Sequence, residues 1–410
     1  MCRRINPFYL AVVLWLVLAS LYLLQWSDYC LGLNMSLCLF LIYMIALLVL
    51  AGFVLEKKTS SSNRLLDCDT GYETRKTTII LIVVLALGMV LKGNVPLLNM
   101  SKGLTYTAVN VGIPFVGALA SAYAMFHSFR LSFLFFTSRK LTYLVECLGI
   151  FLCYFLMFQR QNMVVCALGF WFAFFNARMR VNSFSVSRVA KLIVIAFALL
   201  AIGLFVFGAI GNYRFGIWDW NDSSMIEALG LMNDRWPKWL PGEYFWFYIY
   251  MVTPLGNLNS NISMGLHGND FVGLAMQLLP TSITSRIGFE APEVYLPEPS
   301  LTASTAFAQP YLSAGVIGMY LYITIVVLCV YLIMRFARGD GSTRYATSIS
   351  MSYYLFLMVF DNPSMYLMTS YLMIISVLFI IKLPVLNAIN RMRGKHFKPV
   401  ESKSSGKVES

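Results

Sequence analysis

The stretch Asn212–Ser304, which begins NYRFGIWDWNDSS and ends YLPEPSLTAS, decides the fold because it is the only long polar segment of an apolar chain. It holds five of the eight tryptophans, and nine carboxylates against four basic residues, in a protein of formal net charge +12. The sequence on both sides consists of apolar runs of about the length of a membrane helix. We therefore predict that membrane helices hold this acidic, tryptophan-rich segment at one face of a bilayer.

The composition indicates an all-α polytopic membrane protein. Of the 410 residues, 59% are hydrophobic and only 12% are charged, whereas soluble domains carry about 25% charged residues. The basic residues collect in alternate loops, which sets membrane topology and argues against a nucleic-acid partner. Most of the eight cysteines lie in apolar runs, where they are expected as small core residues and not as a disulfide framework.

Ten apolar runs can be placed as transmembrane helices. They cover residues 7–25, 33–55, 77–92, 104–127, 141–158, 162–176, 192–211, 308–334, 345–360 and 364–381. The predicted organisation is therefore helices 1–7 within residues 1–211, a large periplasmic loop over 212–304, helices 8–10 within 305–381, and a basic cytoplasmic tail over 382–410.

Short interfacial helices are predicted inside the large loop. The aromatic run Tyr244–Val252 is too short to span and is expected to end at Thr253-Pro254, since proline disrupts a helix interior. Phe271–Leu279, followed by Pro280, has the same pattern. The proline-rich segment Glu290–Pro299 is expected to be an extended, mobile lid over the substrate.

The distribution of Lys and Arg sets the orientation. With the amino terminus in the cytoplasm, 24 of the 31 fall on the inner side, as the positive-inside rule requires. The seven left outside are Lys92, Lys102, Arg160, Arg214, Arg235, Lys238 and Arg286. Both termini are thus predicted to be cytoplasmic. The inner segments leave no room for a folded nucleotide-binding domain, and the three histidines are scattered, so neither a cofactor nor a metal is expected.

Arg160 is the sharpest single candidate for function. It lies in the short outer hairpin after Gln159, where the charge bias works against a basic residue. A guanidinium at this depth could hold phosphates in a bidentate fork; the alternative is a side chain that reaches ordinary lipid headgroups. Arg214 and Arg286 each follow an apolar segment and could reach the same depth. The alternative interpretation of both residues is a solvated surface charge with no role in binding.

Two acids and several aromatic residues of the loop are further candidates. Glu243 and Asp270 adjoin apolar patches, so partial desolvation could suit either one to act as a general base. Trp236 and Trp239 offer faces for sugar rings or belong to an interfacial belt. Arg235 and Lys238 flank these tryptophans and fit the belt.

Three stretches carry a resemblance to a known family. They are YIYMVTPLGNLN over Tyr248–Asn259, TAFAQPYLSAGVIG over Thr305–Gly318, and Gln159-Arg160 before an apolar run. In these stretches the chain resembles the oligosaccharide repeat-unit polymerases, the Wzy-type O-antigen polymerases of Gram-negative bacteria. The resemblance implies a multi-pass protein of the bacterial inner membrane with a glycosyltransferase activity at the periplasmic face.

The resemblance also implies a reaction and its partners. A growing glycan on undecaprenyl diphosphate would be transferred to the terminal sugar of a new lipid-linked unit, with membrane lipid, a chain-length regulator and a flippase as neighbours. On this hypothesis Arg160, Arg214 and Arg286 bind the diphosphate, and Glu243 or Asp270 accepts the proton. The expected substrate contacts are Arg235, Lys238, Trp236, Trp239, Tyr248 and Tyr311.

Other functions remain open. A flippase or transporter of lipid-linked oligosaccharides would favour charges at mid-membrane depth and repeated halves, whereas here the charge lies at the outer rim. An O-antigen ligase should carry a histidine-containing signature, from which the sequence departs after His267 with Gly268-Asn269. A non-catalytic assembly subunit is a further alternative.

Overall fold

The structure is a computed structural model of the 410-residue chain. It describes residues 5–30, 32–60, 74–91, 95, 114–157, 159–178, 194, 198, 201–212, 217, 219, 222–337 and 341–379. The predicted cytoplasmic tail, residues 382–410, lies outside this part of the chain. Statements below refer to the described residues.

Seven helices precede the tryptophan-rich segment or lead into it. They are α1 (Pro7–Leu23), α2 (Met35–Ser60), α3 (Thr74–Leu91), α4 (Pro114–Ser138), α5 (Leu141–Leu156), α6 (Arg160–Arg178) and α7 (Ala201–Asn212). Asn6 caps α1 by accepting from the backbone N–H of Phe8 at 3.1 Å, and Pro7 stands in the first turn, where its missing N–H costs nothing.

Seven more helices follow. They are α8 (Ser224–Leu229), α9 (Glu243–Ser263), α10 (Phe271–Met276), α11 (Thr281–Thr284), α12 (Ala308–Phe336), α13 (Gly341–Leu357) and α14 (Leu367–Phe379). Short 3₁₀ turns cover Ser285–Ile287 and Pro363–Met365. No β-strand occurs in the described ranges, where one isolated antiparallel bridge joins Ser27 to Met232.

The helices pack around two hydrophobic cores. The first core is formed by α1, α2, α9 and α12, and the second by α3, α4, α5, α6 and α14. Helix α13 contributes to both, since Met351 and Tyr354 face the first core whereas Ile349 and Tyr353 face the second. Many side chains outside these cores are large, apolar and exposed, as expected for helices that face lipid.

Several helices have the character of membrane spans. Among the described residues, three are long and apolar enough to cross a bilayer: Met35–Lys57, Thr74–Leu91 and Ala308–Phe336. Four shorter apolar helices are α1, α5, α7 and α14. The all-helical, membrane-like character of the chain is thus confirmed, whereas the ten-span count and the placement of residues 212–304 outside the membrane stay predictions.

The connections predicted to lie on the outer side contact one another. The backbone N–H of Asn34, between α1 and α2, donates to Asn259 Oδ1 at 2.8 Å. Asn362, between α13 and α14, donates from Nδ2 to the carbonyl of Gln277 at 3.0 Å. The α1–α2 connection therefore lies against α9, and the α13–α14 connection lies against the end of α10; the orientation of the chain in the membrane stays a prediction.

The expected helix end at Thr253-Pro254 is wrong. Helix α9 continues through Pro254 to Ser263 and forms 21 residues. A proline in a helix interior removes one backbone hydrogen bond and costs about 3 kcal/mol. The residues that follow it, Leu255 to Ile262, are all buried, and their packing and side-chain hydrogen bonds offset that cost. The second predicted interfacial helix, α10, is short as expected.

Helix α12 is broken near its start. Ala314 (φ −140°, ψ 25°) and Gly315 (φ 61°, ψ −154°) leave helical geometry, and only glycine adopts the latter conformation without strain. The break frees the carbonyls of Leu312 and Ser313, which accept from the backbone N–H groups of Gly268 (2.8 Å) and Asp270 (2.7 Å). The connection between α9 and α10 is docked on the break in this way.

Candidate functional site

A cavity of about 640 Å³ lies between the two cores. Its walls come from α1, α6, α7, α9 and α13, together with residues 300–303 after the proline-rich segment. Most of the lining is apolar, and representative side chains are Leu10, Leu14, Val164, Leu168, Phe207 and Phe356. A cavity of this size and character can hold part of a long hydrocarbon chain.

Polar groups are part of the same wall. Gln161, at the start of α6, donates from Nε2 to the hydroxyl of Tyr353 on α13 at 2.7 Å. Ser300 and Thr302 also line the cavity, as does Thr253 of α9. The hydroxyl of Thr253 is buried and has no hydrogen-bond partner among the described residues. The cavity therefore offers an apolar body together with groups that can bind a polar ligand.

Buried asparagines of α9 hold the segment that closes the cavity. Asn261 Nδ2 donates to the carbonyl of Tyr295 at 2.8 Å, and its Oδ1 accepts from the N–H of the same residue at 3.1 Å. Asn257 Nδ2 donates to the carbonyls of Leu301 (3.0 Å) and Ala303 (2.7 Å). The predicted lid over Glu290–Pro299 has no regular secondary structure. In this structure the segment is held by hydrogen bonds from asparagine side chains, which serve in place of the backbone hydrogen bonds that a sheet would provide.

The connection between α1 and α2 is held by the same helix. Asn259 Nδ2 donates to the carbonyl of Gly32 at 3.1 Å, and the hydroxyl of Tyr248 accepts from the N–H of Trp26 at 2.9 Å. The hydroxyl of Tyr29 donates to Asn257 Oδ1. The motif YIYMVTPLGNLN thus forms the helix that fastens both loops.

The predicted arginines are not brought to one point by the described residues. Arg160 is the first residue of α6, directly before the cavity-lining Gln161, and its side chain lies outside the described part. Arg214 lies outside it entirely. The guanidinium of Arg286 stacks 4.8 Å above the ring of Phe115, away from the described cavity lining.

The other two predicted basic residues lie on the surface. Arg235 is exposed and donates from Nη1 to Gln25 Oε1, and its backbone N–H donates to Asn233 Oδ1 at 3.1 Å. Lys238 is also exposed. Both therefore remain accessible to a ligand in the bulk phase, and neither belongs to the described cavity wall.

The two predicted acids lie at the starts of helices. Glu243 is the first residue of α9 and is only 4% exposed. Asp270 caps α10, since its Oδ1 accepts from the N–H of Gly273 at 2.8 Å, which satisfies an end group of the helix. Neither carboxylate is part of the described cavity wall.

Three of the four predicted aromatic contacts are core residues. Trp236 is 8% exposed and packs edge-on against Trp26, with 4.9 Å between ring centroids. Tyr248 and Tyr311 are each 2% exposed. Their hydroxyls bond to backbone groups, as described above for Tyr248 and at 3.3 Å to the Ile262 carbonyl for Tyr311. Only Trp239 of the four, at 81% exposure, presents an accessible face.

Two further acidic residues form hydrogen bonds with residues of the cavity lining. Glu298 accepts at Oε1 from the N–H of the cavity-lining Ser300 at 3.0 Å. The backbone N–H of Asp361 donates to the carbonyl of Leu357, another lining residue, at 3.0 Å. Sequence reasoning ranked neither of them. The available signal for Asp361 was an acid in the short turn between two apolar runs.

The fold and the site define the class of protein as an all-helical protein of membrane-like helices with an internal cavity that has an apolar body and polar wall groups. No protein family matches the chain, and no curated protein and no solved structure gives a match. The function is therefore argued from the site itself.

Proposed function

We propose that the protein is an inner-membrane oligosaccharide repeat-unit polymerase of the O-antigen type. It transfers a growing glycan from undecaprenyl diphosphate to the terminal sugar hydroxyl of a new lipid-linked unit at the periplasmic face. The proposal combines the resemblance in three sequence stretches with the geometry of the cavity.

The observation that carries the proposal is the two-part character of the cavity. The apolar side chains of α1, α6 and α13 suit the isoprenoid chain of a lipid carrier. The Gln161–Tyr353 pair and Ser300, Thr302 and Thr253 provide hydrogen-bonding groups for the diphosphate and the first sugars.

Arg160 is proposed to stabilise the leaving group. It precedes Gln161 at the start of α6, where helix dipole and free backbone N–H groups also favour an anion. As the bond between the anomeric carbon and the phosphate oxygen breaks, negative charge develops on the departing diphosphate. A fixed guanidinium lowers the energy of that charge. Arg214 is retained as a proposed contributor, with Trp239 and Lys238 at the sugar-binding surface, whereas Arg286 is not, because its guanidinium lies on the ring of Phe115 away from the cavity lining.

The test is the length of the glycan made in a deletion strain complemented with point variants. Arg160→Ala should insert at the level of the wild-type protein and yield single-unit glycan, since transition-state stabilisation is lost. Arg178→Ala, at the other end of the same helix, is the matched control and should give long chains. Normal long chains in the Arg160→Ala strain would reject the assignment.

A second variant tests the cavity itself. Val164→Trp adds a bulky ring to the described wall, so chain length should fall because the carrier no longer fits. Leu148→Trp places the same ring on the exposed face of α5 and should leave chain length unchanged. Equal chain lengths in the two strains would remove the cavity from the proposal.

The break in α12 is the observation that favours the transporter alternative, since transporters use discontinuous helices to bind ions and substrates. In this protein the freed carbonyls of Leu312 and Ser313 already accept from Gly268 and Asp270, which leaves them poorly placed to hold an ion. Purified protein in liposomes separates the two functions: a transporter moves lipid-linked units across the bilayer without extending them.

A further inference from the structure

We infer that the protein holds an anionic phospholipid of the bilayer in a groove between α3, α4 and α14, with the lipid phosphate at Arg286. The inference does not depend on the polymerase activity proposed above. It gives Arg286 a role of its own, at a place separate from the described cavity.

The groove is an apolar depression of about 370 Å³. Its lining includes Val84 of α3, Leu119 and Tyr123 of α4, and Ile375 and Phe379 of α14. Val116, Leu119 and Leu378 are also part of this lining and are 50%, 44% and 57% exposed. The groove is therefore open along its side, toward the surface that membrane-like helices present to lipid.

The groove extends through much of one leaflet. Along α4 its lining runs from Val116 to Tyr123, which is about 10 Å at 1.5 Å per residue. Half of the hydrocarbon core of a bilayer is about 15 Å thick. The far end of the groove is closed by Phe379, whose ring stacks on that of Phe126 with 5.2 Å between centroids. A single acyl chain from one leaflet fits such a groove.

Arg286 lies beyond the other end of the groove. Its guanidinium carbon is 4.8 Å from the centroid of the Phe115 ring. Phe115 precedes the lining residue Leu119 by four positions, so the two side chains share one face of α4. The cation thus stands about one helical turn, or about 5 Å, past the lining. This is the order in which a headgroup follows an acyl chain.

The segment that carries Arg286 joins the ends of both helices that flank the groove. Thr281 donates from Oγ1 to the carbonyl of Met365, two residues before α14, at 3.2 Å. On the other side, Arg286 contacts Phe115 at the start of α4. The exposed Ile283 and Ile287 flank the cation. Apolar side chains next to a basic one are typical of a segment at the membrane interface.

A phosphate oxygen is the ligand that this cation can bind. Stacking on Phe115 orients the guanidinium and leaves its in-plane N–H donors free for phosphate oxygens. No described carboxylate forms an ion pair with Arg286. An anionic phospholipid supplies a net negative headgroup for the cation and a chain for the groove. The isoprenoid chain of the lipid carrier is far longer than this groove, which therefore suits an ordinary lipid.

The test is a lipid titration of the purified full-length protein in detergent, with the Kd read by native mass spectrometry. Phosphatidylglycerol should bind the wild-type protein, and Arg286→Gln should weaken binding by about 5-fold or more, since hydrogen bonds to a charged group are lost. Arg286→Lys should give an intermediate Kd, because it keeps the charge without the fork. Arg235→Gln removes the same charge from another exposed site of the tryptophan-rich segment and should match the wild-type protein.

A second pair of variants tests the groove. Val116→Trp places a ring at the end of the groove next to Phe115 and should abolish tight binding of phosphatidylglycerol. Val90→Trp adds the same ring to α3 at a position that is 72% exposed and outside the lining, so the Kd should not change. Unfolding midpoints without lipid check that each variant is folded. If Val116→Trp lowers its midpoint, Leu378→Trp at the opposite rim takes its place.

Two results would overturn the inference. One is an equal Kd for phosphatidylglycerol in the wild-type protein and Arg286→Gln, or equal binding of phosphatidylglycerol and phosphatidylcholine to the wild-type protein, because either excludes recognition of the anionic headgroup by Arg286. The other is binding of undecaprenyl phosphate that Val116→Trp abolishes and phosphatidylglycerol does not displace, since the groove would then belong to the carrier. Glycan extension is not measured in these titrations, so the proposed function can fail without changing their outcome.

Discussion

Asn257 is a single buried side chain that fastens two separate loops. It donates to the carbonyls of Leu301 and Ala303 and accepts from the hydroxyl of Tyr29. Its full burial means that water cannot replace these bonds. The position of the cavity-closing residues is therefore decided by one amide.

Replacing Asn257 by Ala should destabilise the protein strongly. Each buried group that loses its partner costs about 1–3 kcal/mol, and the change leaves two carbonyls and a hydroxyl unsatisfied. We expect a clear fall in the midpoint of thermal unfolding in detergent. Asn269→Ala, at an exposed position of the following loop, is the control. Equal midpoints in the two variants would show that the Asn257 bonds contribute little.

Asp361 gives a pH-dependent stability that can be measured without activity. Burial raises its pKa above the ordinary value of 3.8, so the folded protein binds this proton more tightly than the unfolded chain does. The resulting stabilisation is present below the ordinary value and is lost as pH rises through the raised pKa. The unfolding midpoint of the wild-type protein, relative to Asp361→Asn, should therefore fall as the pH rises above the ordinary value for this group.

A pH-independent difference between those two proteins would contradict the raised pKa. Asp234→Asn reports the effect of net charge in the same series, since it removes a carboxyl at an exposed site.

At the scale of elements, close approach of α7 to α9 depends on glycine. A Cβ atom at Gly208 would clash with the backbone oxygen of Glu243, and one at Gly211 would clash with the ring of Trp246. Trp246 in turn lines the cavity and donates from Nε1 to Asn212 Oδ1 at 2.6 Å. The two glycines let α7 form one wall of the cavity.

Gly208→Ala should lower stability by about 1–3 kcal/mol, because the obstructing atom belongs to backbone and cannot rotate away. Gly203 lies on the same helix with open space where its Cβ would stand. Gly203→Ala should be neutral or stabilising by up to about 1 kcal/mol, as expected for alanine in a helix. Thermal unfolding of both variants gives the comparison, and a loss of stability in Gly203→Ala alone would contradict the packing.

Across the whole molecule, the predicted orientation has a direct test. Trp239 is 81% exposed in the segment predicted to face the periplasm, so Trp239→Cys should react with a membrane-impermeant maleimide in intact cells. The native Cys30 lies in a loop predicted on the same side but is 5% exposed, and burial raises its pKa to about 11, which keeps the thiol unreactive. Labelling only after the membrane is broken would place the segment in the cytoplasm.

The all-helical class and the positions of most helices could be predicted from the sequence, because each apolar run is a local feature of the chain. A helix overlaps each of the ten predicted runs in the described part of the chain. The fourth run, predicted over 104–127, has the wrong end, because the helix there, Pro114–Ser138, continues eleven residues further. The continuation of α9 beyond Pro254 does not follow from local pattern, because the packing that offsets the proline comes from distant residues. Burial of Trp236, Tyr248 and Tyr311 is decided in the same way, since aromatic residues serve cores and ligand sites alike.

The sequence by itself determined that the chain forms membrane-like helices and that one acidic, tryptophan-rich segment interrupts them. It also identified Gln159-Arg160 as a candidate functional hairpin. Tertiary structure alone decided that Gln161 meets Tyr353 in the wall of a cavity. The physical reason is distance along the chain: 192 positions separate Gln161 from Tyr353. Hydropathy and charge patterns report only on neighbours, whereas a cavity exists only where separate helices pack.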